Sequence, residues 1–394
     1  MTKRKIAIFT GNRAEYGLQY PILRAIADDP RLEYQLIVGG AHLNKDFGNT
    51  LAEIVADGFE VHRQVEIELQ QDTLHSTARA IGSGILSLSG ILDEMRPDFL
   101  VVYADRFESF AAMITGTQMN IPTVHIEGGD ITEGGALDDS VRHAMTKLAH
   151  LHFTTNDEAS NRVIALGEEP WRVRNAGLPS LDLISAGLFA SEQEVCEHLG
   201  LDDSRPIILF CQHSVTTEFE EAVAQVRPSL ETLEKFAAQG FQVVITYPNN
   251  DAGGNAIISE LRRYEENPVP NIQVTKSLGR RRFHGMLNLI GRNRGVFVGN
   301  SSAGIKETPA FGCPSINIGS RQQGRLRAEN VIEVNYGATE LEAAILKCTG
   351  DDTFRETCRT CTNPYGAGRA GQEIAEILAT IPIDKRLLQK KMLV

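Results

Sequence analysis

The chain has 394 residues, with 42% hydrophobic and 23% charged side chains, a globular balance in a length that exceeds one hydrophobic core, so two domains are expected. A formal net charge of -12 argues against a nucleic-acid partner, whose phosphates need a basic face, but leaves room for a small phosphorylated ligand on local arginines. The N-terminal MTKRKIAIFTGNRAEYG lacks the apolar region and cleavage site of a signal peptide, and no run approaches a membrane span; a cytoplasmic location is expected. Of the six cysteines only Cys358 and Cys361 form a C-x-x-C, which fits reduced thiols and no metal site.

Short apolar runs alternate with helix-period stretches along the whole chain. IAIFT (residues 6–10), YQLIVG (34–39), FLVVY (99–103) and PTVHI (122–126) read as buried parallel strands, with helices near 18–27, 107–119 and 140–148. A looser region at 177–206 follows, and the pattern restarts with IILFC (207–211), QVVITY (242–247), GVFVG (295–299) and SINIG (315–319). A last amphipathic helix is expected over 369–379. Alternating βα units make parallel sheets covered by helices on both faces. The expected class is therefore α/β, with two Rossmann-like doubly wound domains: residues 1–180 and 181–363, the segment 364–394 packing back on the first. Ligand is expected in a cleft where the carboxyl ends of both sets of strands meet.

Three groups of residues carry candidate chemistry. GNRAEYG (11–17) follows the first strand without being G-x-G-x-x-G, so a dinucleotide fingerprint is absent. Its Arg13 reads equally as a surface arginine on a plain turn or as an anion ligand at a helix start. GNSSAGIKE (299–307) follows GVFVG. Ser301 and Ser302 are expected to cap a helix and leave backbone N–H groups for a diphosphate, with Glu307 placed for ribose hydroxyls and Pro309 shortening the helix. Arg321 adds a positive charge from the next strand end. The acids form the third group. Asp105 in YADRFE and Glu127 in HIEGGD follow adjacent strands, and Asp138 opens a helix in LDDSVRH, where N-capping competes for one of the two aspartates. Glu127, between an apolar strand and two glycines, has few structural reasons to be there. Proton removal and return at a sugar ring need such acids. His213 in CQHSVTTE is a candidate acid/base or phosphate donor. His150 and His152 read as structural, with no carboxylate cluster around them. Arg280, Arg281 and Arg282 read as a solvated helix start, with anion binding as the minority reading.

Taken in order, NRAEYG, GAHLNKDFGNT, ADRFE, HIEGGD, DDSVRHAMTKLAHLHF, QHSVTTE, PNNDAG, GNSSAGIKE and NIGSRQQGR resemble the hydrolysing UDP-N-acetylglucosamine 2-epimerases over nearly the whole chain. At the first loop and the carboxylate loop the chain follows that pattern, not the GTRPE and HVEAGLR types of the non-hydrolysing relatives. The resemblance implies a GT-B architecture with UDP held mainly by the second domain. It implies anti elimination of UDP to a 2-acetamidoglycal, then syn addition of water to give a free C2-inverted sugar. No cofactor and no metal are implied, and a homodimer or homotetramer is. Carried over by position, Asp105, Glu127 and Asp138 match the catalytic carboxylates and His213 the active-site histidine. Arg13, Arg106, Ser301, Ser302, Glu307 and Arg321 match groups that look like UDP ligands, and His42, Asn249 and Asp251 match further substrate positions. Two departures stand out. Animal relatives carry a lysine where this chain reads Gly17-Leu18-Gln19, and HIEGGDITEGGALDD is longer than its animal counterpart. UDP-N-acetylglucosamine, its 2,4-diacetamido-6-deoxy analogue and a GDP-linked sugar are not separated by any residue. The competing readings are a GT-B glycosyltransferase with a UDP-sugar donor and a nucleotide-sugar sensor; the sensor leaves the three carboxylates unexplained.

Overall fold

Strands that are apolar at every position fit only between two helical layers, and the central strands here meet that condition. The computed structural model describes residues 3–43, 51–67, 74–131, 137–248 and 253–393. They form two units, the first from residues up to Asp130, Leu137–Leu183 and Tyr365 onward, the second from Ile131 and Ile184–Pro364. In the first unit β1 (Arg4–Thr10), β2 (Leu32–Gly39), β3 (Arg63–Val65), β4 (Phe99–Tyr103), β5 (Thr123–Ile126), β6 (Leu151–Thr154) and β7 (Val173–Asn175) lie in the order β3-β2-β1-β4-β5-β6-β7. Every pair is parallel. Side chains alternate across the sheet, so Ile6 and Ile8 of β1 join one core while Ala7 and Phe9 join the other.

The second unit repeats the scheme with β8 (Ile207–Cys211), β9 (Gln242–Thr246), β10 (Ile272–Thr275), β11 (Val296–Gly299), β12 (Ser315–Ile318) and β13 (Val331–Val334), ordered β10-β9-β8-β11-β12-β13 and all parallel. Ile208 and Phe210 face one helical layer, Ile207 and Leu209 the other. Among the described residues no helix is long and apolar enough to cross a membrane.

The turn after β1 is shorter than the sequence suggests. The helix expected from about residue 18 begins at Arg13 and runs as Arg13–Asp28, because the Asn12 side chain caps it by accepting from Glu15 N at 3.0 Å. Glu15 itself is buried: one carboxyl oxygen accepts from Gly11 N at 2.8 Å and the other from the Ser109 hydroxyl at 2.7 Å. Burial, reinforced by the neighbouring Glu108, pushes its pKa from 4.5 up to about 8. Burial raises Glu108 as well.

The end of the chain completes the first unit. Helix Ala370–Thr380 lays Ile374, Ala375 and Leu378 into the core that holds Ile22, Leu23 and Ile26, and its Gly371 leaves only 2.6 Å between an added Cβ and the Pro21 carbonyl. Beyond it the buried Arg172 donates to the carbonyls of Arg386 (2.6 Å), Leu387 (2.8 Å) and His150 (3.1 Å). Glu168, also buried, accepts from His152 (3.0 Å), Lys147 (2.6 Å) and Lys390 (2.7 Å). No carboxylate cluster was expected around His150 and His152, and a single carboxylate, that of Glu168, meets His152. Glu168 follows them by a helix and a turn and reaches back beneath the sheet, a tertiary contact without local signal. Burial opposes its charge, but the three donors outweigh that and hold it low, at about 2.

Two outcomes test these contacts. In Arg172→Ala the carbonyls of Arg386, Leu387 and His150 lose a buried donor, and unfolding free energy from urea denaturation falls by at least about 2 kcal/mol, with earlier proteolytic cutting after residue 384. Glu15 is neutral in the fold and ionised when exposed between its ordinary 4.5 and about 8. Folding then takes up a proton, so the wild type loses stability as pH rises through that window. Glu15→Gln carries no such penalty, and its Tm advantage over wild type, read by calorimetry, widens by roughly 3 °C or more between about pH 5 and about pH 9.

Candidate functional site

Strand order reverses between β1 and β4 in the first unit and between β8 and β11 in the second, so in each the loops leaving those strands border a crevice at the carboxyl edge. In the first unit β4 is followed by Ala104, Asp105 and Arg106, and Arg106 is the N-cap position of helix Phe107–Gln118. Glu127 follows β5 directly. Ala104 (φ 54°) and Glu127 (φ 65°) both adopt the left-handed conformation, which costs a residue with a Cβ about 1–3 kcal/mol. Strain of this kind at two neighbouring strand ends marks a place where side-chain direction is constrained beyond what packing needs.

Arg142 explains where those side chains go. It lies on helix Leu137–Leu148, is 3% exposed, and donates to the Asp105 carboxylate, to Asp139 Oδ1 (3.1 Å) and to the Asp130 carbonyl (2.6 Å). Burial opposes its charge; Asp105, Asp130, Glu127 and Asp139 outweigh that and raise its pKa above the ordinary arginine value. The acid of the DD pair bound to this arginine is Asp139, three residues away on the same helical face. Asp138 is exposed on the same first turn, where its charge acts on Glu108. Sequence reasoning singled out Asp138 and missed Asp139 and Arg142; the i, i+3 spacing in DDSVRH was the available signal.

Arg106 brings its Nε to 3.8 Å from the buried Glu108 carboxylate. The side chain of Arg13 lies outside the described structure, although its backbone opens the first helix. His42 sits on the 3-10 turn Gly40–Leu43, 1% exposed, with Nε2 3.1 Å from Thr10 Oγ1 and its ring edge-on to Tyr16. Burial lowers its pKa to about 4, so the ring is neutral near pH 7.

The second unit builds its carboxyl edge from backbone. Gly299, the last residue of β11, has φ 145° and runs so close to β8 that an added Cβ would lie 1.9 Å from the Cys211 carbonyl. Asn300 then pairs with His213, accepting its N–H at 2.6 Å and donating to its carbonyl at 2.9 Å. Arg321 Nη1 and Gln322 Nε2 donate to the Asn300 carbonyl at 3.1 and 2.8 Å. His213 is half-buried, its Nε2 3.4 Å from Cys211 Sγ.

The expected cap by Ser302 is corrected. Ser302 is the N-cap of the single turn Ala303–Lys306 but makes no side-chain cap bond, because its φ and ψ of -59° and -28° are helical where a capping side chain needs extended backbone. Pro309 lies in the following 3-10 turn Thr308–Phe311, as a helix-shortening proline should. Glu307 is 8% exposed and its Oε2 meets His284 Nε2 at 3.2 Å, a partner that sequence reasoning missed. Asn249 and Asp251 lie outside the described residues. Arg281 and Arg282 begin helix Gly279–Arg292 and pair with Glu194 at 3.4 and 3.6 Å. Among the described residues no group of three His, Cys, Asp or Glu side chains is placed to hold a metal ion.

The sequence model of the UDP-N-acetylglucosamine 2-epimerase family matches residues 24–379. The chain is 31% identical over 387 residues to UDP-N,N'-diacetylbacillosamine 2-epimerase (hydrolyzing) of Legionella pneumophila, covering 98% of both chains. It is 33% identical over 364 residues to UDP-N-acetylglucosamine 2-epimerase of Neisseria meningitidis serogroup B, covering 89% of this chain and 90% of that one. Among solved structures, UDP-GlcNAc 2-epimerase from Neisseria meningitidis bound to UDP-GlcNAc superposes with a TM-score of 0.79 at 18% identity, over 95% of this chain and 99% of that one. A 2-epimerase-like structure from Listeria monocytogenes does so with 0.79 at 17% identity, over 96% of both chains. These neighbours share the fold, two Rossmann-like parallel-sheet domains of the GT-B class. By family match and by full-length similarity, the chain belongs to the UDP-N-acetylglucosamine 2-epimerase family.

Proposed function

We propose that the chain is a hydrolysing 2-epimerase. It eliminates UDP from a UDP-linked 2-acetamido sugar and adds water to the resulting glycal, releasing UDP and the free sugar inverted at C2. The observation that carries this reading is Arg142, with Asp105 and Asp139 bound to it and Glu127 beside it in charge, at the ends of two adjacent strands. The hydrolysing outcome is supported by the NRAEYG and HIEGGD loops and by the hydrolysing activity in the name of the Legionella pneumophila relative.

In the first step a carboxylate takes the C2 proton while the C1–O bond to UDP breaks and C1=C2 forms. In the second, water adds across that bond, oxygen to C1 and a proton to C2 on one and the same face, the face opposite the one that lost the C2 proton. Asp105, Glu127 and Asp138 share the base and acid roles, with His213 a further proton donor or diphosphate ligand. No ketone forms, so no nicotinamide is called for. The second unit holds the nucleotide: free backbone N–H groups at Ser301 and Ser302 and the charge of Arg321 suit a diphosphate, and Glu307 suits ribose hydroxyls. Arg13, Arg106, His42, Asn249 and Asp251 complete the proposed substrate set. Arg142 gives Asp105 a defined direction before substrate arrives, which is where electrostatic catalysis gains most.

Incubation of the purified protein with a panel of UDP-2-acetamido sugars, followed by NMR, is expected to show UDP and a free C2-inverted sugar. UDP release only when an acceptor is added would make it a glycosyltransferase, and binding without release a sensor. Glu127→Gln is expected to lower kcat by at least ~100-fold. Near-normal turnover in that variant removes Glu127 from the mechanism.

A further inference from the structure

The left-handed Ala104 is gripped by the neighbouring strand. Its N–H donates to the Ile126 carbonyl at 3.0 Å, and its own carbonyl lies 2.7 Å from Nε2 of His125. A carbonyl only accepts, so His125 Nε2 carries the proton and Nδ1 is an acceptor. Nδ1 lies 3.2 Å from the hydroxyl of Thr146, which donates to it. The ring is 0% exposed, and burial lowers its pKa to about 3, so it is neutral throughout the physiological range. Room for this chain of hydrogen bonds comes from Gly128: a Cβ there would stand 3.0 Å from His125 Nδ1 and 3.1 Å from Thr146 Oγ1.

The elements joined this way are those that carry the acids. Ala104 precedes Asp105. His125 stands two residues before Glu127 on β5. Thr146 is one helical turn beyond Arg142 on helix Leu137–Leu148. One imidazole therefore connects the exit of β4, the exit of β5 and the helix whose arginine binds Asp105.

We propose that His125 is a positioning residue that aims Asp105: through Nε2 it fixes the Ala104 carbonyl, and through Nδ1 it locks that geometry to the Arg142-bearing helix. It has no access to substrate, so it acts on Asp105 and not on the sugar. The inference rests on the hydrolysing-epimerase reading for its kinetic consequence and on geometry alone for its structural one.

The test uses the full chain in three variants. His125→Leu removes both hydrogen bonds. His125→Gln restores a donor at the Nε2 position. Thr146→Val removes only the donor to Nδ1. With a UDP-2-acetamido sugar, His125→Leu is expected to lose kcat by roughly 30-fold or more while KM and UDP affinity by calorimetry stay within about 2-fold. His125→Gln recovers to within about 5-fold of wild type, and Thr146→Val loses about 3- to 10-fold. Hydrogen exchange over residues 104–106, followed by mass spectrometry, rises about 10-fold in His125→Leu but not in His125→Gln. Wild-type kcat in His125→Leu overturns the proposal, and so does a Gln variant no better than Leu. If His125→Leu does not fold, Thr146→Val decides by the same measures, and wild-type kcat there overturns it. If wild-type protein turns over no UDP-2-acetamido sugar, the functional reading falls, and the exchange comparison alone decides the positioning claim.

Discussion

A buried guanidinium must have its donors engaged, or burial costs several kcal/mol more than its attractions return. Arg142 engages two carboxylates and a carbonyl through its two terminal nitrogens, and much of the first unit's carboxyl edge follows from it. To keep Asp105 within reach, the chain leaving β4 turns through a left-handed Ala104; to keep Asp130 within reach, the loop after Glu127 turns back through Gly129 at φ 79°. The helix carrying Arg142 is thereby held to two strand ends at once. His125 and Thr146 hold it a second time, one turn further along.

The second unit solves its own carboxyl edge with neutral dipoles. Gly299 lets β11 approach β8, and Asn300 ties the two exits by a reciprocal pair of hydrogen bonds to His213. Around it Glu218 accepts from Ser320 at 2.8 Å and from Gln225 at 2.6 Å, so the loops are framed by polar contacts instead of a charge cluster. In the proposed enzyme such an edge would offer oriented N–H groups to the diphosphate, and the first unit's would offer carboxylates to protons.

How much of this the sequence disclosed depended on burial. Central strands such as β1, β4, β8 and β11 are buried on both faces and therefore read as unbroken apolar runs. The edge strands β3 (RQV), β7 (VRN), β10 (IQVT) and β13 (VIEV) keep partly exposed positions and pass for loop. The acids after β4 and β5 were legible because a strand end plus glycines is a local pattern. Arg142 was not, since an i, i+3 acid–base pair on a helix usually lies in solvent and only the fold buries it. Glu15 was hidden for the same reason: Gly11 is a local partner, but Ser109 becomes a neighbour only when the first helix and the helix after β4 pack together. The Ser302 cap failed because residue preference does not fix φ and ψ.

The first unit closes with residues made only after the whole of the second. Until the segment from Tyr365 onward has been made, Ile22, Leu23 and Ile26 lack the helix that covers them, and Arg172 faces unmet carbonyl positions. Ile184–Pro364, by contrast, is finished some thirty residues earlier and holds its own cores throughout. On the ribosome the second unit is thus the one able to fold first, while the first unit waits with an open apolar groove. That interval is when the nascent chain most needs a chaperone, and the segment from Tyr365 onward ends it.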